Sequence, residues 1–83
     1  MRHRVVVPKK IEKKLEKLDK KSQARIQTGL IILESNPYAG KKLEGRYKNC
    51  YSLKVWPYRI IYEIIQTKLI VLIIEISHRQ GVY

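Results

Sequence analysis

Three cations in the second half of the chain stand where they can act together: Lys54, Arg59 and Arg79. Each falls in a stretch where apolar and polar residues alternate, the pattern of a half-buried strand. Side chains alternate across a strand. In residues 68–79, Ile70, Leu72, Ile74 and Ile76 therefore take one face, and Ile73, Glu75, Ser77 and Arg79 take the other. In residues 46–56, Leu53 and Val55 join the apolar face and leave Ser52, Lys54 and Trp56 opposite. In residues 58–65, Ile60, Tyr62 and Ile64 do the same, leaving Arg59, Ile61 and Glu63. One face thus gathers Lys54, Arg59 and Arg79, with Glu63 and Glu75 nearby. Ammonium and guanidinium groups brought together can hold a phosphate and stabilise charge developing on it. Alternation alone equally admits three solvated charges held apart by the two glutamates, and a bulge would exchange faces.

The elements that must position these residues can be read along the chain. Residues 2–7 have the character of a short strand, and Pro8 suits the first turn of a helix, where its missing N–H is harmless. Ile11, Leu15 and Leu18 then form one apolar stripe on a lysine-covered helix. Ser22 is a suitable cap for a second helix, whose stripe is Ile26, Leu30 and Leu33, widened by Ile31 and Ile32. That helix should end before Asn36-Pro37, because the residue preceding a proline is pushed away from helical angles. Residues 35–45 read as a connecting loop from their Pro and Gly content. Residues 46–56, 58–65 and 68–79 read as three strands, with turns at Pro57 and at Gln66-Thr67. The predicted class is α+β in the order βααβββ, a helix hairpin on one face of a largely antiparallel four-stranded sheet.

Eighty-three residues suffice for a single domain, 1–83, with one core. Eighteen Lys and Arg against seven Asp and Glu leave a net charge of +11. A small domain so basic tends to meet a polyanion such as nucleic acid, an anionic membrane or an acidic protein. Ten of the cations lie within residues 1–25, beside only Glu12, Glu16 and Asp19. The longest apolar run, residues 69–74, is far too short for a membrane span. Residues 1–20 lack the apolar core of a signal peptide. A cytoplasmic protein is expected, and the single cysteine, Cys50, which cannot form an internal disulfide, agrees weakly with a reducing compartment. Cys50 is expected to be structural. Two distant histidines and one cysteine make no recognisable metal-ligand set, Gly-rich phosphate loops are absent, and no cofactor is expected.

Lys42-Leu43-Glu44-Gly45, Tyr51-Ser52-Leu53-Lys54-Val55, Tyr58-Arg59-Ile60-Ile61-Tyr62-Glu63-Ile64 and Ile76-Ser77-His78-Arg79-Gln80-Gly81-Val82-Tyr83 resemble the successive motifs of RelE/ParE toxins. Each block is weak alone; the ordered set is fairly specific and, with the βααβββ order, covers essentially the whole chain. The resemblance implies the toxin of a type II toxin–antitoxin system, neutralised by a cognate antitoxin protein. It also implies one of two activities, cleavage of mRNA in the ribosomal A site (RelE-like) or poisoning of DNA gyrase (ParE-like). In the RelE-like branch, favoured here, the matching catalytic positions are Lys54, Arg59, Arg79 and Tyr83. RelE-like proteins can carry a second lysine two residues before the first, where this chain has Ser52.

For RNA cleavage the nucleophile is the substrate's own 2′-hydroxyl, so neither a protein nucleophile nor a metal is strictly needed. The protein must orient that hydroxyl, accept its proton, stabilise the phosphate oxygens and protonate the leaving 5′-oxygen. Arg59 suits the phosphate clamp, since a guanidinium offers paired donors. Lys54 would stabilise the same charge and, crowded by Arg59 and Arg79, could give up a proton and act as base. Arg79 would stabilise the leaving oxygen or relay a proton to it. Tyr83 would stack on a base or join in proton transfer, unless it is a frayed end without a role. Lys54 and Tyr83 beside Arg79 favour the nuclease.

Other residues carry open readings. His78 tempts as a general base, yet alternation points it with Ile74 and Ile76, away from Arg79, and favours a structural role. His3 has no constellation around it. For Trp56 and Tyr58, core packing and base stacking fit equally. Lys9, Lys10, Lys13, Lys14 and Lys17, with Arg46 and Lys48, are the candidate contacts to ribosomal and messenger RNA phosphates; a solvated helix face fits the helical lysines as well. The competing functions are a gyrase inhibitor acting by protein binding and a family member with weak or no turnover, which Ser52 keeps open.

Overall fold

The chain begins, in a computed structural model that describes residues 3–45 and 49–78, with strand β1 (Arg4–Val6). Pro8 follows as the cap of helix α1 (Lys9–Glu16), its carbonyl accepting the N–H groups of Ile11 and Glu12 at 2.9 and 3.0 Å. Helix α2 (Lys20–Ser35) begins two residues before the expected cap. Asp19, not Ser22, is that cap, and its carboxylate accepts the Ser22 N–H at 3.2 Å. An acceptor is needed one turn upstream of the N–H it satisfies, and Asp19 has that spacing to Ser22. The helix stops at Ser35, before Asn36-Pro37, as predicted.

The sheet has five strands in the order β1-β5-β4-β3-β2. Strands β3 (Cys50–Val55), β4 (Tyr58–Ile65) and β5 (Ile70–His78) pair antiparallel in sequence, and β1 pairs parallel with β5. A short 3₁₀ turn, Gln66–Lys68, joins β4 to β5. Lys41 and Lys42, expected in a loop, form the additional strand β2 against Tyr51 and Ser52. Two lysines carry no apolar alternation, so nothing in the local pattern announces them.

Both helices pack on one face. Ile26, Leu30 and Leu33 of α2 and Ile11 and Leu15 of α1 meet Ile60, Tyr62, Val71, Ile73 and Ile76. Each buried Ile or Leu of this set contributes about 1.5–3 kcal/mol. Gly29 admits α2 close to the sheet, since a Cβ there would lie 2.9 Å from Val55 Cγ2. Arg25 Nη1 donates to the Trp56 carbonyl at 3.2 Å and ties α2 to the β3–β4 turn.

The simple alternation holds in β3 and β4 but fails in β5. Ile61 pairs with Glu75 and Tyr62 with Ile73, so Ile74 is an extra residue, a β-bulge. Upstream of it, Val71 and Ile73 enter the core, and Ile70 and Leu72 turn to the helix-free face, the reverse of the predicted assignment. Ile73 is fully buried whereas Ile74 is 38% exposed. Downstream the phase recovers. Ile76 is in the core, and Ser77, the cross-strand partner of Arg59, lies on the helix-free face as predicted.

Candidate active site

Lys54 and Arg59 are direct cross-strand partners at the β3–β4 turn. Residues opposite one another in a ladder share a face, with Cβ atoms about 5 Å apart, and here that face is free of helices. The Lys54 ammonium also lies 5.7 Å from the centre of the Trp56 ring, which is 55% exposed. Of the two aromatic residues flanking the turn, Trp56 thus faces outward beside Lys54, whereas Tyr58 packs against the core.

A cleft of about 410 Å³ opens beside this pair, lined by Gly40, Lys41, Leu43, Ser52, Lys54 and Arg59 among others. Its described lining contains three cations and no carboxylate. Glu63, expected nearby, stands four pairs further along β4, opposite Cys50. Glu75 is engaged elsewhere, 4.0 Å from Lys14 Nζ of α1. Among the described residues, the neighbourhood of Lys54 and Arg59 is therefore more uniformly positive than the sequence pattern implies, and suits an anion.

The rim of the cleft is held from beneath. Tyr62, fully buried, donates its hydroxyl proton to the Pro37 carbonyl at 2.7 Å and accepts the Gly40 N–H at 3.0 Å. Burial pushes its phenol above the usual 10.0, outweighing the Gly40 hydrogen bond. The Tyr51 ring stacks on Tyr62 at 5.6 Å, and Tyr38 meets Tyr51 edge-on at 5.8 Å. Three of the six tyrosines thereby fix the loop that leads into β2. Neither Lys41 nor the Tyr62 clamp is visible from periodicity, because both depend on a strand pairing of two residues.

Those of the remaining candidates that are described lie away from the cleft. Arg79, Tyr83, Arg46 and Lys48 lie outside the described residues. His78 is exposed and meets the Tyr58 ring edge-on at 5.2 Å. His3 is buried; its Nε2 lies 3.2 Å from Gln66 Oε1 and its backbone N–H bonds Glu34, a structural setting at the start of β1. Cys50 is half-buried, and burial, aided by the Glu63 charge, raises its thiol above 9.0. Lys9, Lys10, Lys13, Lys14 and Lys17 are all exposed on α1 or its C-terminal cap. However, α1 packs on β5 whereas the cleft is built from β2, β3 and β4, so the two cationic surfaces lie apart. Among the described residues no group of three metal-ligating side chains occurs, and no helix is long and apolar enough to cross a membrane.

Known proteins give the arrangement its context. The family profile described as the ParE toxin of a type II toxin–antitoxin system, parDE, matches residues 5–83. The structure is similar to a chain of the archaeal RelE–RelB complex from Pyrococcus horikoshii, with a TM-score of 0.81 and 27% identity over 99% of this chain and 100% of that one. It is similar to a chain of the intact Escherichia coli RelBE toxin–antitoxin complex, at 0.76 and 25% over 92% and 95%. A chain of the RelBE2 complex from Mycobacterium tuberculosis shares the fold at 0.86, with 23% identity over 95% and 100%. No curated protein sequence matches the chain. With nearly its whole length matched and its fold shared, this basic chain belongs to the RelE/ParE family and is a toxin of a type II toxin–antitoxin system.

Proposed function

We propose that the protein is a ribosome-dependent mRNA endonuclease that inhibits translation in the cytoplasm and is neutralised by a cognate antitoxin. The observation that carries this reading is the juxtaposition of Lys54 and Arg59 in a cleft whose described lining holds no carboxylate. Like charges set directly opposite in a ladder destabilise a sheet. A small domain that keeps them side by side gains from them when an anion lies between.

In this reading a phosphodiester enters the cleft and Arg59 donates to its non-bridging oxygens. The 2′-hydroxyl attacks the adjacent phosphorus, a 2′,3′-cyclic phosphate forms, and the bond to the 5′-oxygen breaks. Lys54 accepts the 2′-hydroxyl proton or stabilises the charge that replaces it, Arg79 stabilises the departing 5′-oxygen or relays to it the proton that makes it a hydroxyl, and Tyr83 stacks on a base or joins in that proton transfer. Trp56 offers a ring face on which a neighbouring base can stack. Lysines of α1 would contact ribosomal RNA on a different surface from the cleft. That the similar solved structures from Pyrococcus horikoshii and Escherichia coli are toxin–antitoxin complexes supports the antitoxin partner.

The match to a profile described as ParE favours a second reading, inhibition of DNA gyrase by protein binding without cleavage. Purified protein added in parallel to programmed ribosomes and to gyrase separates the two. The nuclease reading expects mRNA to be cut and supercoiling to continue, with Arg59→Ala lowering the cleavage rate on the order of 10²-fold. Intact mRNA with arrested supercoiling would establish the second reading. Silence in both assays would leave a family member without turnover.

A further inference from the structure

We infer that Lys41 is a third phosphate-binding residue of the cleft, beside Lys54 and Arg59, contacting the non-bridging oxygens of the RNA backbone. The inference rests on the nuclease reading above and adds to it a residue that neither the sequence pattern nor the family motifs assign.

Register gives the first argument. Lys41 is the cross-strand partner of Ser52, so the two share a face. Lys54 lies two residues along β3 on that same face, which makes it the diagonal neighbour of Lys41, with Cα atoms about 7–8 Å apart. Lysine and arginine stems can span that gap and converge on one phosphate. Lys42 is the opposite case. It pairs with Tyr51, whose ring packs toward the helix-side core.

Preorganisation gives the second. The residue before Lys41 is Gly40, whose N–H is held by the buried Tyr62 hydroxyl. A Cβ on Gly40 would lie 2.7 Å from the Ser52 carbonyl oxygen, so the backbone of the loop rests directly on β3. The Leu43 N–H closes the other side on the Cys50 carbonyl at 2.9 Å. Lys41 is therefore an exposed side chain on a backbone pinned before and after it. A ligand contact from such a position sacrifices little backbone freedom on binding.

Charge placement gives the third. Ser52, inside the cleft, is neutral and buried, and the strand beside it supplies the cation instead. An exposed lysine side chain is usually a solvated one, but this one joins two other cations around a concave surface with no described acidic lining.

The test compares two substitutions that remove the same charge from neighbouring positions on opposite faces, Lys41→Gln and Lys42→Gln. Single-turnover cleavage on programmed ribosomes is measured for each, together with binding to ribosomes whose A-site codon carries 2′-O-methyl riboses and cannot be cut. Lys41→Gln should weaken binding and lower cleavage about ten- to hundredfold, the scale of one charge-assisted hydrogen bond. Lys42→Gln should stay near wild type, and Lys41→Arg should restore most of the loss. Thermal melting of all variants should be unchanged, since both lysines are exposed. If Lys41→Gln and Lys42→Gln behave alike while the wild type cuts, Lys41 is a solvated surface charge and the inference is wrong. Wild-type protein that leaves mRNA intact removes the nuclease reading, and the role of Lys41 with it.

Discussion

The Tyr62 hydroxyl donates to the Pro37 carbonyl at 2.7 Å, joining the middle of the core strand β4 to the loop that precedes β2. The same oxygen receives the Gly40 N–H, so one buried side chain sets the height of the cleft rim. Tyr62→Phe removes both partners at once and leaves a carbonyl and an amide N–H unsatisfied. Urea unfolding should show a loss of about 1–3 kcal/mol, and cleavage should fall further than stability alone explains, because Lys41 loses its support. A variant as stable as wild type would show that the clamp has no energetic role.

The start of α2 should respond to acid. Ser22, through its hydroxyl first and its backbone N–H second, holds the Asp19 carboxyl below its ordinary 3.8. A carboxyl lowered by folding adds stability above its unfolded pKa and loses it as pH falls through the lower, folded value. Asp19→Ala should therefore melt at a lower temperature than wild type near neutrality, and the gap should close below about pH 3.8. A gap independent of pH would place the effect outside the cap.

Cys50 should be a slow nucleophile. Burial first, and the Glu63 charge second, keep its thiol above 9.0. The pH profile of iodoacetamide alkylation in the folded protein should have its midpoint above that value, and Glu63→Gln should move the midpoint down. Rapid alkylation at pH 7 would contradict this account of its surroundings.

The lysines of α1 can be tested for contact with RNA. Lys13 and Lys17 are exposed, whereas Lys14 is partnered by Glu75. If they meet ribosomal RNA phosphates, Lys13→Gln and Lys17→Gln should each reduce the slope of log K against log salt by about one. Salt titrations of ribosome binding that leave the slope unchanged would identify a merely solvated helix face.

Much of this architecture is legible in the sequence because one physical signal dominates each element. The Ile26-Leu30-Leu33 stripe and Asn36-Pro37 define most of α2, and the alternation through Tyr58-Arg59-Ile60 places Arg59 on the same face as Lys54. What escapes is what depends on pairing rather than pattern. The bulge at Ile74 reverses the upstream half of β5, and a run of five apolar residues from Ile70 contains no polar residue to reveal it. Strand β2 consists of two lysines whose pairing accompanies the Tyr62 bond to Gly40 before them and the Leu43 bond to Cys50 after them. The capping role of Asp19 over Ser22 is a choice between two good caps three residues apart, which only the fold resolves.

The chemistry of the severed RNA end tests the central claim most directly. After brief exposure of translating ribosomes to the wild-type protein, the new ends within the reading frame should carry a 5′-hydroxyl, opposite a 2′,3′-cyclic phosphate or its hydrolysis product. Those ends should become on the order of 10²-fold scarcer with Arg59→Ala. Ends bearing a 5′-phosphate, or no new ends at all, would contradict cleavage by the 2′-hydroxyl in the Lys54–Arg59 cleft.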